Sequence, residues 1–271
     1  MNKFVLLIFI FCISSCSSKP KKIYKTISIE ERADSYMALA DNYRMNGKIT
    51  QAIQYYDSAS KLYFSKWEKK KFLLSNLNKA ILYLKLKKMD MYMEIYTSME
   101  YYNRIDNIGL ENEILGVHSR YLKDMGKIDE SVTILEKVIK SYEADLEKKI
   151  YYILMLADVQ GFNLSDDYYN QVEAGVEKLL DKYQDGELLN IEGLTFIILA
   201  ASKMHLKRDA IERSLQLAKS SEDLYRELEL VGRFGEIYEQ YIQIYQQMGN
   251  TDKVDFYKKM LSKFKVQDVN I

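Results

Sequence analysis

Proline and glycine are scarce in this chain of 271 residues. Proline occurs once, at Pro20, and glycine occurs 11 times. Sandwiches, barrels and wound α/β folds need many sharp turns, and those turns are commonly built from these two residues. Their scarcity argues against such folds and favours helices joined by short polar turns.

An excess of either charge sign is also absent. Lys and Arg together number 39, and Asp and Glu together also number 39. The chain as a whole therefore lacks the positive field that draws proteins to phosphate backbones, and we expect no nucleic-acid partner. Hydrophobic residues make up 48% of the chain, which is ample for a packed core and unlike a disordered protein.

Motifs for catalysis, metal binding and phosphate binding are missing. The two histidines, His118 and His205, stand far apart, and we interpret each as structural. No HExxH, CxxC, GxxxxGK[ST] or GxSxG pattern occurs. Acidic pairs such as Asp166 and Asp167 fall at predicted helix starts, where their negative charge interacts favourably with the helix dipole. The sequence thus predicts no catalytic site, no metal site, no cofactor and no enzymatic activity.

The N-terminus has the pattern of an export signal. Lys3 precedes an apolar run at residues 4–13, which as a helix of roughly 15 Å is too short for about 30 Å of bilayer hydrocarbon. Ile13, Ser14, Ser15 and Cys16 follow, and this tetrad resembles the lipobox of bacterial lipoproteins.

The lipobox resemblance implies a signal peptide at residues 1–15 and acylation of Cys16, with palmitate as a usable label. Residues 16–27 would then form a lipidated tether, and the protein would be anchored at the periplasmic or outer face of a bacterial membrane. Ser17 after the cysteine favours the outer membrane. An ordinary signal peptide cut near Ser15 is the alternative, although it would leave Cys16 as a lone thiol.

Four stretches of the remaining chain are similar to one another. They begin at Asn46, Met125, His205 and Met248, and each has the pattern of a turn leading into a helix. Gly47 and Gly126 mark two of these joints and enclose two units of about 40 residues each.

Around the first joint, the residues resemble the tetratricopeptide repeat (TPR). The positions that match its aromatic, small and glycine classes are Tyr36, Leu39, Ala40, Tyr43, Gly47, Ala52, Tyr56 and Ala59. The resemblance implies an all-α fold, a right-handed superhelical α-solenoid of about six helical hairpins over residues 28–266. A helical bundle around one core is the alternative.

Local signals place several helix ends. Ser28 with Glu31, and Ser65 with Glu68, have the S-x-x-E spacing of a capping box that opens a helix. Small residues at Ala40, Ala52 and Ala59 would let neighbouring helices approach closely. Residues 160–167 form the strongest predicted loop outside the repeat joints.

Proteins of the TPR family hold peptides along the concave surface of the first helices of their hairpins. Carrying those positions over gives a candidate partner groove of Asp34, Met37, Asp41, Arg44, Arg120, Lys123, Glu239 and Gln243. Met37 and Asp41 stand where some members carry a Lys and Asn clamp for a C-terminal carboxylate, so no such clamp is expected.

Together these features predict a membrane-anchored TPR scaffold or adaptor that binds a partner protein or peptide segment in the bacterial cell envelope. Two alternatives stay open. One is an outer-membrane assembly factor of similar plan. The other is a transporter-associated or solute-binding lipoprotein that takes a small apolar ligand.

Overall fold

The computed structural model describes residues 27–187 and 190–267. The predicted signal peptide, the lipobox and nearly all of the tether lie outside these ranges. The described chain is helical, with one 3-10 turn at Val231–Arg233. Its helices are α1 (Ile29–Met45), α2 (Ile49–Ser65), α3 (Lys69–Lys85), α4 (Met89–Asp106), α5 (Glu111–Asp124), α6 (Ile128–Ser141), α7 (Leu146–Val159), α8 (Asp166–Gln184), α9 (Ile191–Lys207), α10 (Ile211–Glu227), α11 (Phe234–Gln247) and α12 (Thr251–Gln267). None of these helices is long and apolar enough to cross a membrane.

The helices pack as six successive hairpins. Each helix contacts the next one along the chain, and from α3 to α11 each odd-numbered helix also contacts the next odd-numbered helix. Buried hydrophobic side chains form several separate clusters, where a bundle around one core would have a single one. The all-α stack of TPR-like hairpins is therefore confirmed, while its right-handed sense stays a prediction.

Regular joints set the length of the repeat. Gly47, Trp67, Lys87 and Asn107 adopt left-handed backbone conformations at intervals of 20 residues. After each of them, a backbone N–H donates to a carbonyl five residues earlier, as Lys48 N does to Tyr43 O at 2.9 Å. These hydrogen bonds satisfy backbone carbonyls that would otherwise lack a donor at the end of the helix. A helix and its joint thus take 20 residues in the first two hairpins, which accounts for the 40-residue unit.

One of the two predicted capping boxes is confirmed. Ser28 Oγ accepts from Glu31 N at 3.0 Å, and Ser28 N donates to Glu31 Oε2 at 2.8 Å. The second prediction was wrong, because Ser65 is the last residue of α2 and Glu68 precedes α3 without a side-chain cap. Left-handed Trp67 shapes this joint, and Glu68 N is already bonded to the carbonyl of Tyr63.

Small side chains lie where the two helices of a hairpin cross. Ala40 of α1 and Ala52 of α2 are fully buried, as the steric argument from the sequence predicts. In the fifth hairpin, Ser202 and Ser214 stand in the same relation, and each hydroxyl donates to the other's backbone carbonyl at 2.8 Å. These bonds let a polar residue replace alanine at a buried crossing.

The stack curves until its first hairpin meets the segment between the fifth and sixth. A Cβ at Gly232, in the 3-10 turn, would lie 2.4 Å from Gly47 N, so the two backbones touch. Arg44 at the end of α1 forms two hydrogen bonds with Glu192 in the first turn of α9. The inner surface predicted as a concave groove is consequently closed by this contact along part of its length.

Candidate functional site

The odd-numbered helices line two adjoining cavities on the inner surface of the stack. Their volumes are about 210 Å³ and about 460 Å³. Ile81 of α3, Arg120 of α5 and Met155 of α7 line both. This placement follows from the packing, because each of these helices faces the next odd-numbered helix and leaves one side toward the interior.

The smaller cavity is mainly apolar. Ile81, Tyr151 and Met155 contribute to its wall, and Glu113 forms an ion pair with Lys148 at 2.9 Å at its rim. Burial opposes the charge on Glu113, but hydrogen bonds from Lys148 and from a tyrosine outweigh it and hold the pKa below its ordinary value. Glu113 is therefore charged and already paired at neutral pH.

The larger cavity carries an excess of positive charge. Six basic side chains and three carboxylates line it. Three of the bases are paired: Lys87 with Asp124 at 2.7 Å, Lys123 with Asp158 at 2.6 Å and Arg233 with Glu236 at 3.1 Å. The other three are Lys85, Arg120 and Lys203.

These three remaining cations have no carboxylate within ion-pair distance in the part of the chain that the structure describes. Arg120 donates to Tyr151 Oη at 3.0 Å, and its guanidinium lies 5.9 Å from the centre of the Phe196 ring. Phe162 adds a second ring to the lining. The cavity thus combines unneutralised positive charge with aromatic surface, which suits an anionic group on an apolar body.

The structure brings two of the eight predicted groove residues together. Arg120 and Lys123 both line the larger cavity. Gln243 of α11 lines a neighbouring cleft with Lys203 and Phe162, and Glu239 is exposed on the same helix. All of them stay candidates for partner contact.

The four predicted residues of α1 line neither cavity. Met37 packs within the hydrophobic clusters of the first hairpin, and Asp34 accepts hydrogen bonds from a tyrosine at 2.7 Å and a lysine at 3.0 Å. Asp41 accepts from Tyr56 Oη, and Arg44 is bound to Glu192. These side chains contribute to the first hairpin and to the closing contact, and their role in a groove stays a prediction.

Sequence reasoning missed most of the lining of the larger cavity, including Lys85, Phe162, Phe196 and Lys203. Lys85 and Phe162 fall near residues 80–96 and 157–180, where the TPR pattern is weak. Phe196 and Lys203 lie on α9, before the joint near His205. Phe162 belongs to the loop at residues 160–167, which was recognised only as irregular. Listing the residues that face the inside of the stack on every odd-numbered helix would have identified the helical ones among them from the sequence.

Both histidines are held by packing. His205 Nδ1 lies 2.9 Å from Tyr169 Oη, and its Nε2 lies 2.6 Å from Glu173 Oε2. Burial lowers the pKa of His205 despite the nearby carboxylate of Glu173. His118 stacks on Tyr96 at 4.1 Å between ring centres. Residues 27–187 and 190–267 contain no group of three His, Cys, Asp or Glu side chains arranged to hold a metal ion.

No protein-family model and no curated protein matches the sequence. Among solved structures, the chain is similar to a kinesin light chain with nearly identical TPR-like repeats from Podosopora anserina, with a TM-score of 0.42, 14% identity, and coverage of 74% of this chain and 98% of that one. It is also similar to BtubC (BKLC) from P. vanneervenii, with a TM-score of 0.49, 11% identity, and coverage of 90% of this chain and 93% of that one.

Proposed function

We propose that this protein is a membrane-anchored scaffold that binds a segment of a partner protein along its inner helices. One observation carries the proposal: Lys85, Arg120 and Lys203, which have no carboxylate partner among the described residues, converge on a cavity lined by Phe162 and Phe196. Charged groups that a fold needs for itself are commonly paired, so unpaired cations around a cavity are available for a ligand.

The partner segment that fits is acidic and partly apolar. A cavity of about 460 Å³ accommodates a few side chains of a peptide and not a whole domain. Arg120 offers a planar guanidinium for a carboxylate, and the two phenylalanine rings offer apolar surface beside it. The neighbouring cleft near Gln243 extends this surface for a longer segment.

Anchoring through an acylated Cys16 completes the proposal. It is supported by the lipobox-like tetrad and by the apolar run before it, and it would hold the scaffold at the periplasmic or outer face of a bacterial membrane. Metabolic labelling with palmitate tests it directly. We expect label on the wild-type chain and none on Cys16→Ala, whereas label on both or on neither would contradict the anchor.

Charge reversal in the cavity tests the scaffold itself. Partners are recovered from cross-linked cells with the wild-type chain and with a Lys85→Glu/Lys203→Glu variant, and are quantified by mass spectrometry. Lys178 of α8 and Lys219 of α10 are exposed lysines on even-numbered helices, so Lys178→Glu/Lys219→Glu is the matched control. We expect a specific partner to be lost only with the first variant; equal recovery with all three proteins would contradict the proposal.

A small apolar ligand is the second candidate, and the smaller cavity favours it. Its wall includes Leu77, Val117 and Met155, and Gly116 lets the Tyr152 ring pack against the backbone of α5 beside it. Native mass spectrometry of the intact chain tests this function. A co-purifying small molecule that disappears in a Val117→Phe variant would support it, and a chain with no bound mass would contradict it.

A further inference from the structure

An exposed aromatic surface lies where the first hairpin meets the second. We name it the aromatic corner, and its rings are Phe64, Trp67, Phe72, Tyr101 and Tyr102. Phe64 is central, with ring centres 6.1 Å from Trp67 and 5.8 Å from Tyr102. Trp67 is 70% exposed and Tyr101 50%. A contiguous group of large exposed rings indicates an interaction surface.

Trp67 is held in an unusual position. It adopts a φ of 59° at the joint between α2 and α3, a conformation that disfavours bulky side chains. Lys69 Nζ lies 5.2 Å from the centre of its ring and pairs with Asp106. The joint therefore directs the ring outward at a steric cost. Lys87 occupies the equivalent position of the next joint, so the turn itself does not need a tryptophan.

Exposed cations stand next to the aromatic corner in the sequence. Lys66, Lys70 and Arg104 are exposed, and within the described ranges no carboxylate lies at ion-pair distance from them. Farther along the same edge of the stack, the joints carry acidic residues such as Asp145 and Asp185. Among the described residues of this edge, the large exposed rings, Phe64, Trp67 and Tyr101, all belong to the first two hairpins.

The chain enters the fold at this same corner. Lys71 at the start of α3 contacts Glu30 in the first turn of α1 at 3.1 Å, so the beginnings of the two helices are neighbours. Ile27, just before α1, is 71% exposed. The preceding residues 17–26 include four lysines. Fully extended, these ten residues span at most about 35 Å, so an anchor at Cys16 keeps the corner close to the bilayer.

We propose that the aromatic corner rests on an anionic membrane surface, with Trp67 among the lipid headgroups. Trp and Tyr favour this zone because their rings are apolar and their polar atoms stay hydrated. Lys66, Lys70 and Arg104 add attraction to anionic lipids, as do the lysines of residues 17–26. The proposal rests on the lipid anchor of the proposed function. It orients the scaffold, with the first two hairpins on the membrane and the later joints of that edge farther from it.

The fluorescence of Trp67 tests the docking, since it is the single tryptophan of the chain. The full-length acylated protein is reconstituted into vesicles of phosphatidylethanolamine and phosphatidylglycerol, with or without brominated acyl chains as quenchers. We expect the emission maximum of Trp67 to lie at a shorter wavelength with vesicles than without them, and we expect the brominated lipids to quench this emission. Vesicles of phosphatidylcholine alone should give weaker quenching.

Charge variants separate docking from anchoring. Lys66→Gln/Lys70→Gln/Arg104→Gln should lose most of the quenching while the protein still sediments with the vesicles, because each cation near an anionic surface contributes about fivefold to the docked population. Lys48→Gln/Lys88→Gln/Lys127→Gln, at exposed joints of the opposite edge, is the control and should behave like the wild type.

Three outcomes would overturn the docking. Sedimentation of the wild type without quenching would refute it and leave the anchor standing. Failure to sediment with any vesicle would refute the docking and the anchor together. Shielding of Trp67 from a soluble quencher without lipid, together with a doubled molecular mass, would assign the aromatic corner to a second copy of the chain.

Discussion

The contact between Arg44 and Glu192 joins the first hairpin to the fifth, and its removal should open the stack. Arg44 Nη2 donates to Glu192 Oε2 at 2.7 Å, and its other terminal nitrogen bonds the second carboxylate oxygen. The two side chains are 25% and 33% exposed. Breaking a fully buried pair costs about 3 to 5 kcal/mol, and an exposed pair contributes less than about 1 kcal/mol. Glu192→Gln should therefore cost about 2 kcal/mol.

The pKa of Glu192 fixes the pH range of this contact. Burial alone would raise it, but the hydrogen bonds and charge of Arg44 outweigh burial and hold it below the ordinary value of 4.5. A carboxylate with a lowered pKa contributes stability above its unfolded pKa and loses that contribution as the pH falls through the folded pKa. The contact is thus complete at neutral pH and lost only in acid.

A double-mutant cycle of Arg44→Gln and Glu192→Gln in urea measures the coupling between the two residues, and small-angle X-ray scattering measures the radius of gyration. We expect a coupling of about 1 kcal/mol or more and a larger radius of gyration for each single variant. Glu130→Gln removes an exposed pair with Lys127 and is the control, with a cost below about 0.5 kcal/mol. A coupling below about 0.5 kcal/mol between Arg44 and Glu192, together with an unchanged radius of gyration, would refute the claim that this contact closes the stack.

Three further predictions concern the fold and its cavities. Gly126 has a φ of 75° with open space where a Cβ would stand, so Gly126→Ala should cost about 1 kcal/mol in urea unfolding from backbone strain alone. Asn107→Gly, at an exposed residue with a φ of 47°, is the control and should cost nothing. Because burial lowers the pKa of His205 below 6.5, stability should fall as the pH drops below that value, and a His205→Gln chain should show less of this fall; equal pH profiles would contradict it. Gly116→Ala places a Cβ 2.5 Å from the Tyr152 ring and should cost about 1 to 3 kcal/mol, visible as a lower thermal midpoint.

The hairpins were predictable because their signals are local. Ala40 and Ala52 at a close crossing, and Gly47 at a left-handed joint, each act within one or two helices, and the structure shows all three in those places. The unit around residues 80–96 was harder to recognise because Lys87 occupies the left-handed position that glycine marks elsewhere, as Asp209 does at the joint near His205. The backbone hydrogen bonds of those joints form with non-glycine residues as well. The repeat length is therefore kept where the glycine that would reveal it in the sequence is missing.

The candidate site was predicted only in part because it depends on distant contacts. Arg120 and Lys123 were found from the repeat register, which also placed Asp41 and Arg44 in the groove. The pairing of Arg44 with Glu192 spans 148 positions, and no local pattern encodes it. That contact joins the first hairpin to the fifth. The larger cavity is lined by residues of the second to sixth hairpins.

Site-specific photo-cross-linking tests most directly whether a protein segment binds along the inner helices. A photoreactive amino acid replaces Lys203 in the larger cavity or, as the outer control, Lys219 of α10, in the full-length chain in living cells. The proposed scaffold predicts a discrete protein adduct at position 203 that is absent at position 219. Adducts at the outer position alone, or the same adducts at both, would contradict it.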